Sequence, residues 1–303
     1  MTPPSHPPLP SPGGQLFHRW KNSIHRWKNF PPVEKKPPSP SKFHPPVEKF
    51  STGGKPSPRA AFTLLDLLAA LAAAALLAAL LAGAYPSALA AAQSAACRSN
   101  LRQLAAANLA YAADHGRFVP AAADVEGPNT LRWHGVRSGK TFDGSQGPLA
   151  PYLGGGGASA AVRRCPAFRP DAPGFEASCG GYGYNAHGVG SEVALPNGAG
   201  TRLGMRPSAL LRPAQTLMFA DAAFLQGAGK TAKLIEYSFA EPSRFPSGAV
   251  PWPTIHFRHR GRANVAWCDG HVAPESLDRA APRFAAHSLG WFGPDDNRFF
   301  DPF

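Results

Sequence analysis

From Phe62 to Ala84 the chain carries one charge, Asp66, and otherwise only apolar residues, Gly and Thr. As a helix this run of 23 residues would measure about 34 Å, enough to cross a hydrocarbon layer of about 30 Å. A soluble core helix of that length would show a polar stripe, and none is present. Beyond it, Pro86 is tolerable as a kink, and Ala88, Leu89, Ala90, Ala91 and Ala92 are strong helix formers. Cys97, Leu101, Leu104, Asn108 and Tyr111 then recur at three-four spacing, which predicts one face resting on a folded domain. Asp114-His115-Gly116 reads as the stop, with glycine at the C-terminal cap. The expected element is one helix over 62–113, about 75–80 Å long, apolar all round in its first half and amphipathic in its second.

Past Phe118 the pattern changes to turns and short strands. Thr216-Leu217-Met218-Phe219-Ala220 predicts a buried strand ending at Asp221. Residues 263–268, then Asp269-Gly270, then His271-Val272, predict a β-hairpin whose two-residue turn takes its positive φ angles from Asp-Gly. Gly154 to Gly157 predict a loop. The fold class expected is α+β: a long N-terminal helix, membrane-spanning over 62–84, on a small antiparallel sheet within a domain covering 114–303. Gly and Pro together make up about a fifth of the chain, which fits long loops.

The net charge of +12 changes the picture only in its distribution. About +8 of it lies in residues 1–61, a Pro-, Ser- and Lys-rich segment that repeats HRWKN (18–22, 25–29) and PPVEK (31–35, 45–49). Such repeats bury no core, so the segment is read as disordered, or as sequence upstream of the true start. The basic residues of the remainder are scattered, which argues against nucleic acid as a partner. Lys55 and Arg59 precede the apolar run and few charges follow it. The bias predicts a cytoplasmic N-terminus and a translocated domain, with lipid as the helix's surroundings.

Ala61-Phe62-Thr63-Leu64-Leu65-Asp66-Leu67-Leu68 resembles the prepilin cleavage and methylation signal, G-FTLIELL. His259, nine residues, then Asp269-Gly270 is similar to the processing-associated His-to-Asp-Gly signature of pseudopilin-like proteins. Cys97-Arg-Ser-Asn-Leu-Arg-Gln, Cys165-Pro166 and Tyr182-Gly-Tyr-Asn185 look like the same group, so the marks extend from residue 61 to about 273. The resemblance implies cleavage between Ala61 and Phe62 by prepilin peptidase and methylation of the Phe62 amine. It further implies assembly with other pilin-like subunits or secretion-machinery components in the inner membrane, Asp66 pairing with a neighbour's N-terminal amine. Two positions depart from the pattern: Ala61 stands for Gly, and Asp66 for Glu.

A rival reading takes Ala82-Gly83-Ala84 before Tyr85 as an ordinary signal-peptidase site, although the apolar run exceeds a signal core. No nucleophile elbow, phosphate loop or paired carboxylates appear, so no catalysis is expected. His256, His259, Asp269 and His271 are of metal-ligand type, but their spacing does not force convergence. Hairpin roles are expected instead, Asp269 in the turn and His259 bonding to backbone. No cofactor is expected. Calcium is the alternative, with Asp295, Asp296, Asn297 and Asp301 as oxygen donors, against a solvated tail. A Cys97–Cys165 bridge would clamp the domain to an exposed stretch of helix, leaving Cys179 and Cys268; four cysteines allow three pairings. The late aromatics, Trp252, Phe257, Trp267, Trp291, Phe292, Phe299, Phe300 and Phe303, are expected in the core. A second reading of function uses them on polysaccharide, in a membrane-tethered binding protein.

Overall fold

A computed structural model describes residues 62–154, 162, 164–191, 202–245 and 248–301. The basic segment 1–61 with Ala61, most of the Gly154–Gly157 run, and Phe303 lie outside the described residues. The fold is α+β: one long helix, α1 (Leu64–His115), followed by short strands in small sheets.

Local chemistry sets both ends of α1. Thr63 is the N-cap: its hydroxyl accepts from Asp66 N, and the Asp66 carboxylate in turn accepts from Thr63 N. This reciprocal box satisfies two of the donors a helix start leaves orphaned. At the other end Gly116 takes φ 70°, a left-handed cap that costs glycine little. The helix runs 52 residues, about 78 Å, and passes through Pro86 without a break.

Its two halves differ in burial. Every residue from Phe62 to Leu89 is exposed. From Cys97 onward one face is buried, with Cys97, Leu101, Leu104, Ala105, Asn108 and Ala112 at the expected three-four spacing. Cys97, expected on an exposed stretch, has no accessible surface, because the helix meets the sheet one turn earlier than the first buried leucine.

That face packs on the central sheet, ordered β11-β10-β5-β4-β8. Its strands are β4 (Tyr182–Asn185), β5 (Leu217–Asp221), β8 (Phe239–Ala240), β10 (Arg262–Trp267) and β11 (Val272–Ser276). All pairs are antiparallel except β4 with β8. The middle strand β5 is buried along its whole length. Met218, Phe219 and Ala266 join Leu101 and Leu104 on the helix side, while Leu217, Val265 and Trp267 pack with Ile255, Phe257, Phe292 and Phe300 on the other. Two cores thus sandwich the sheet. A meander of β1 (Leu131–Arg132), β2 (Gly135–Ser138) and β3 (Thr141–Asp143), a hairpin of β6 (Phe224–Gln226) and β7 (Lys233–Ile235), and the pair β9 (Ile255–His256) and β12 (Leu289–Gly290) flank it. Before β12 lies a single-turn helix, α2 (Pro282–Ala285).

The β10–β11 hairpin forms where expected but with a different turn. Ala266 pairs with Val272, Trp267 N donates to His271 O, and Gly270 N donates to Trp267 O. The loop is therefore the three residues 268–270, and only Gly270, at φ 92°, has positive φ. Asp269 stays out of the left-handed region, so the turn needs one glycine and not an Asp-Gly pair.

Candidate functional site

Three of the motif residues scattered along the chain, Cys97, Cys165 and His259, converge with Asp221 where α1 crosses the sheet. Cys97 enters from the helix, Cys165 from the segment before β4, Asp221 from the end of β5, and His259 from the turn between β9 and β10. Their ligand atoms all lie within 4.8 Å of one another, and all four residues are buried. Cys97 Sγ is 3.2 Å from Asp221 Oδ1, Cys165 Sγ is 3.6 Å from His259 Nε2, and His259 Nε2 is 3.2 Å from Asp221 Oδ2. Arg258 Nη2 lies 3.2 Å from Asp221 Oδ1, with its guanidinium 4.5 Å from the centre of the Phe168 ring.

Each donor is held by its local chain. His259 and Arg262 exchange both backbone hydrogen bonds across Arg260 (φ 57°) and Gly261 (φ 78°). Positive φ at both central positions makes a tight two-residue turn, which fixes the imidazole. Cys165 N donates to Gly180 O, and Asn100 Nδ2 on α1 donates to Arg164 O, tying the cysteine segment to the helix. Asn264 N donates to Asp221 Oδ2. Tyr182 is fully buried beside Cys97, and its hydroxyl makes no hydrogen bond of ordinary geometry among the described residues.

The electrostatics are mutual. Burial pushes the Cys97 thiol well up. The hydrogen bond from Cys97, then His259 and Arg258, outweigh burial at Cys165 and pull its thiol down to about 5. Burial opposes charge on His259, yet its hydrogen bonds to Asp221 and Cys165 raise it to about 9. Burial likewise opposes the Asp221 carboxylate, but Arg258 and His259 prevail and lower it.

Of the other motif residues, Tyr184 serves the helix–sheet joint and Asn185 ties the sheet to the tail. Asn108 Nδ2 donates to Tyr184 Oη, Tyr184 donates to Val119 O, and Val119 N donates to Asn108 Oδ1, a closed and buried ring of bonds. Asn185 Nδ2 donates to Leu217 O and Phe300 O.

Several expected constellations are not assembled. His259 faces Asp221 and Cys165, whereas Asp269 Oδ1 takes His271 Nδ1 at 2.6 Å on the hairpin turn. His256 is buried edge-on to Phe168. The set His256, His259, Asp269 and His271 therefore does not form one site; the alternating strand and the turn send these side chains to different places. Cys97 and Cys165 are neighbours but free thiols, as are Cys179 and Cys268. In the tail, Asp295 faces Arg244 and Arg279, Asp296 pairs with Arg298, and Asn297 Oδ1 accepts from Ser243 and Arg244. Those oxygens are engaged by arginines, the Ser243 hydroxyl and backbone of the chain itself. Of the late aromatics, Phe257, Trp267, Phe292 and Phe300 are core residues, but Trp252 is 43% exposed and stacks on Phe224.

Asp221, read only as the end of a strand, and Arg258 were not among the site residues expected from the sequence. A carboxylate closing an otherwise apolar strand was the available signal for Asp221; nothing local marks Arg258. No family model, curated protein or solved structure matches the chain.

Proposed function

We propose that the chain is a non-catalytic, pilin-like membrane subunit whose helix is both its anchor and its assembly surface. In this reading prepilin peptidase cuts between Ala61 and Phe62, the new amine is methylated, and α1 gathers with other subunits into a pseudopilus or surface filament. The N-terminus is cytoplasmic and the domain lies on the far side of the inner membrane. The observation that carries the reading is the exposure of every residue from Phe62 to Leu89 on a helix continuous with the one buried in the domain. The nine leucines from Leu64 to Leu81 are 53–76% exposed. Left in water they would forgo on the order of 10 kcal/mol of burial, and a soluble monomer rarely presents such an apolar surface. Lipid and neighbouring apolar helices supply the missing environment. Asp66 sits at the positive end of the helix, where a carboxylate is favoured and where a processed amine would arrive. The test is the terminus of the protein extracted from membranes. Mass spectrometry should find N-methylated Phe62; a soluble product beginning at Tyr85 would overturn the proposal.

A second reading rests on the exposed stack of Trp252 on Phe224, with Phe175 at 5.9 Å from Phe224 and 45% exposed. Flat exposed aromatics suit sugar rings, and the chain would then be a tethered polysaccharide-binding protein. Glycan binding by the full chain that is abolished by Trp252→Ala would favour it.

A further inference from the structure

We infer that Cys97, Cys165, His259 and Asp221 form a structural zinc site that locks α1 to the sheet. Among the described residues this is the one group of three or more Cys, His, Asp or Glu donors close enough to share an ion. Zinc binds thiolate at about 2.3 Å and imidazole or carboxylate at about 2.0–2.2 Å in a tetrahedron, which sets donors about 3.3–3.8 Å apart. The Cys165–His259 edge, at 3.6 Å, already falls in that range, and the Asp221 carboxylate reaches Cys97 through Oδ1 and His259 through Oδ2, each at 3.2 Å, with all four ligand atoms within 4.8 Å of one another. The donors come from four separate segments, so an ion at their centre closes loops of 94 and 124 residues at once.

Charge and surroundings fit the ion. Two thiolates and one carboxylate carry three negative charges; a divalent cation and the Arg258 guanidinium against Asp221 restore neutrality in a site closed to water. The ion binds the two sulfurs as thiolates and His259 as neutral imidazole, so whatever protons these groups carry pass to solvent. The partners that orient the donors are in place. Asn264 N and Arg258 hold the Asp221 carboxylate, and a Cys97 thiolate would give the Tyr182 hydroxyl an acceptor. Two thiolates favour zinc over magnesium or calcium, and imidazole with carboxylate fits it better than copper(I). Four protein donors leave no open coordination position, so the role is structural, not catalytic.

The inference is independent of the membrane reading, since every donor lies in the folded part. The full chain, kept in mild detergent and purified without chelator, should carry about one zinc ion, with X-ray absorption showing two sulfur and two nitrogen or oxygen neighbours. Cys97→Ser and His259→Ala should lose most of the metal, while Cys268→Ser, at a buried cysteine outside the cluster, should keep it. Should the cluster variants fail to fold, cobalt(II) added to the zinc-stripped wild-type chain decides. Tetrahedral visible bands with a thiolate charge-transfer band support the site. A wild-type chain without zinc and without such bands overturns it, as does zinc retained by both variants. Recovery of a Cys97–Cys165 disulfide peptide as the main species would overturn it too.

Discussion

The two halves of α1 share one helical geometry and an alanine-leucine composition, yet they solve opposite problems. From Cys97 on, apolar residues occupy one face, and that face is covered by the chain's own sheet. From Phe62 to Leu89 they occupy every face, and nothing in the described chain covers them. An apolar stripe states that a helix has an inside within its own fold. An apolar cylinder states that its inside must come from elsewhere, and its leucines are then free of any obligation to the domain's stability. Substitutions that are severe in one half should be silent in the other, if domain stability is what is measured.

The largest effect should come from a buried ion pair within the domain, where Glu176 is 2% exposed and bonded to Arg132 at 2.9 Å and to Ser238 at 2.7 Å. Glu176→Ala strands a buried guanidinium, and about 3–5 kcal/mol of domain stability should go with it. Burial opposes the charge on Glu176, but His134 and Arg132 outweigh it and hold the carboxyl below its ordinary value. The pair's contribution is therefore complete above the ordinary glutamate pKa and is lost as pH falls through the lower folded value. In detergent, acid should melt the head's near-ultraviolet signal while residues 64–89 stay helical, since Asp66 is the sole carboxylate there. Loss of that helical signal together with the head would break the separation of the two halves.

Next is Leu104→Ala, at a position with no accessible surface in the helix-side core. It should cost about 2–5 kcal/mol of domain stability by denaturant titration. A change below about 1 kcal/mol would mean that the helix is not seated in the sheet as described.

How much of this could be read in advance follows from range. The three-four spacing of Cys97, Leu101, Leu104 and Asn108, the Gly116 cap and the strand at Leu217–Asp221 are local patterns, and each was legible. The turn at 268–270 was legible in place but not in type, because Asp-Gly serves two- and three-residue loops alike. Of the cluster, Cys97, Cys165 and His259 were legible only as separate motif fragments, and Asp221 only as the end of a strand. The cluster's bonds span 94 and 124 residues, and no periodicity encodes which distant loops meet. Arg132 with Glu176, 44 residues apart, left no trace for the same reason.

The smallest effect sharpens the comparison most. Leu76 is 65% exposed and lies in the half without a partner in the chain. Leu76→Ala keeps helix propensity, since alanine is the better helix former. With no cavity to open, domain stability should change by less than about 0.5 kcal/mol. The same substitution removes apolar side-chain surface from whatever surrounds the helix, so a change of several leucines, Leu76, Leu77, Leu80 and Leu81 to alanine, should weaken membrane retention or subunit cross-linking without moving the domain's unfolding midpoint. A midpoint that fell as it does for Leu104→Ala would place this half inside the chain's own core. An unchanged midpoint with assembly lost would locate its partners outside.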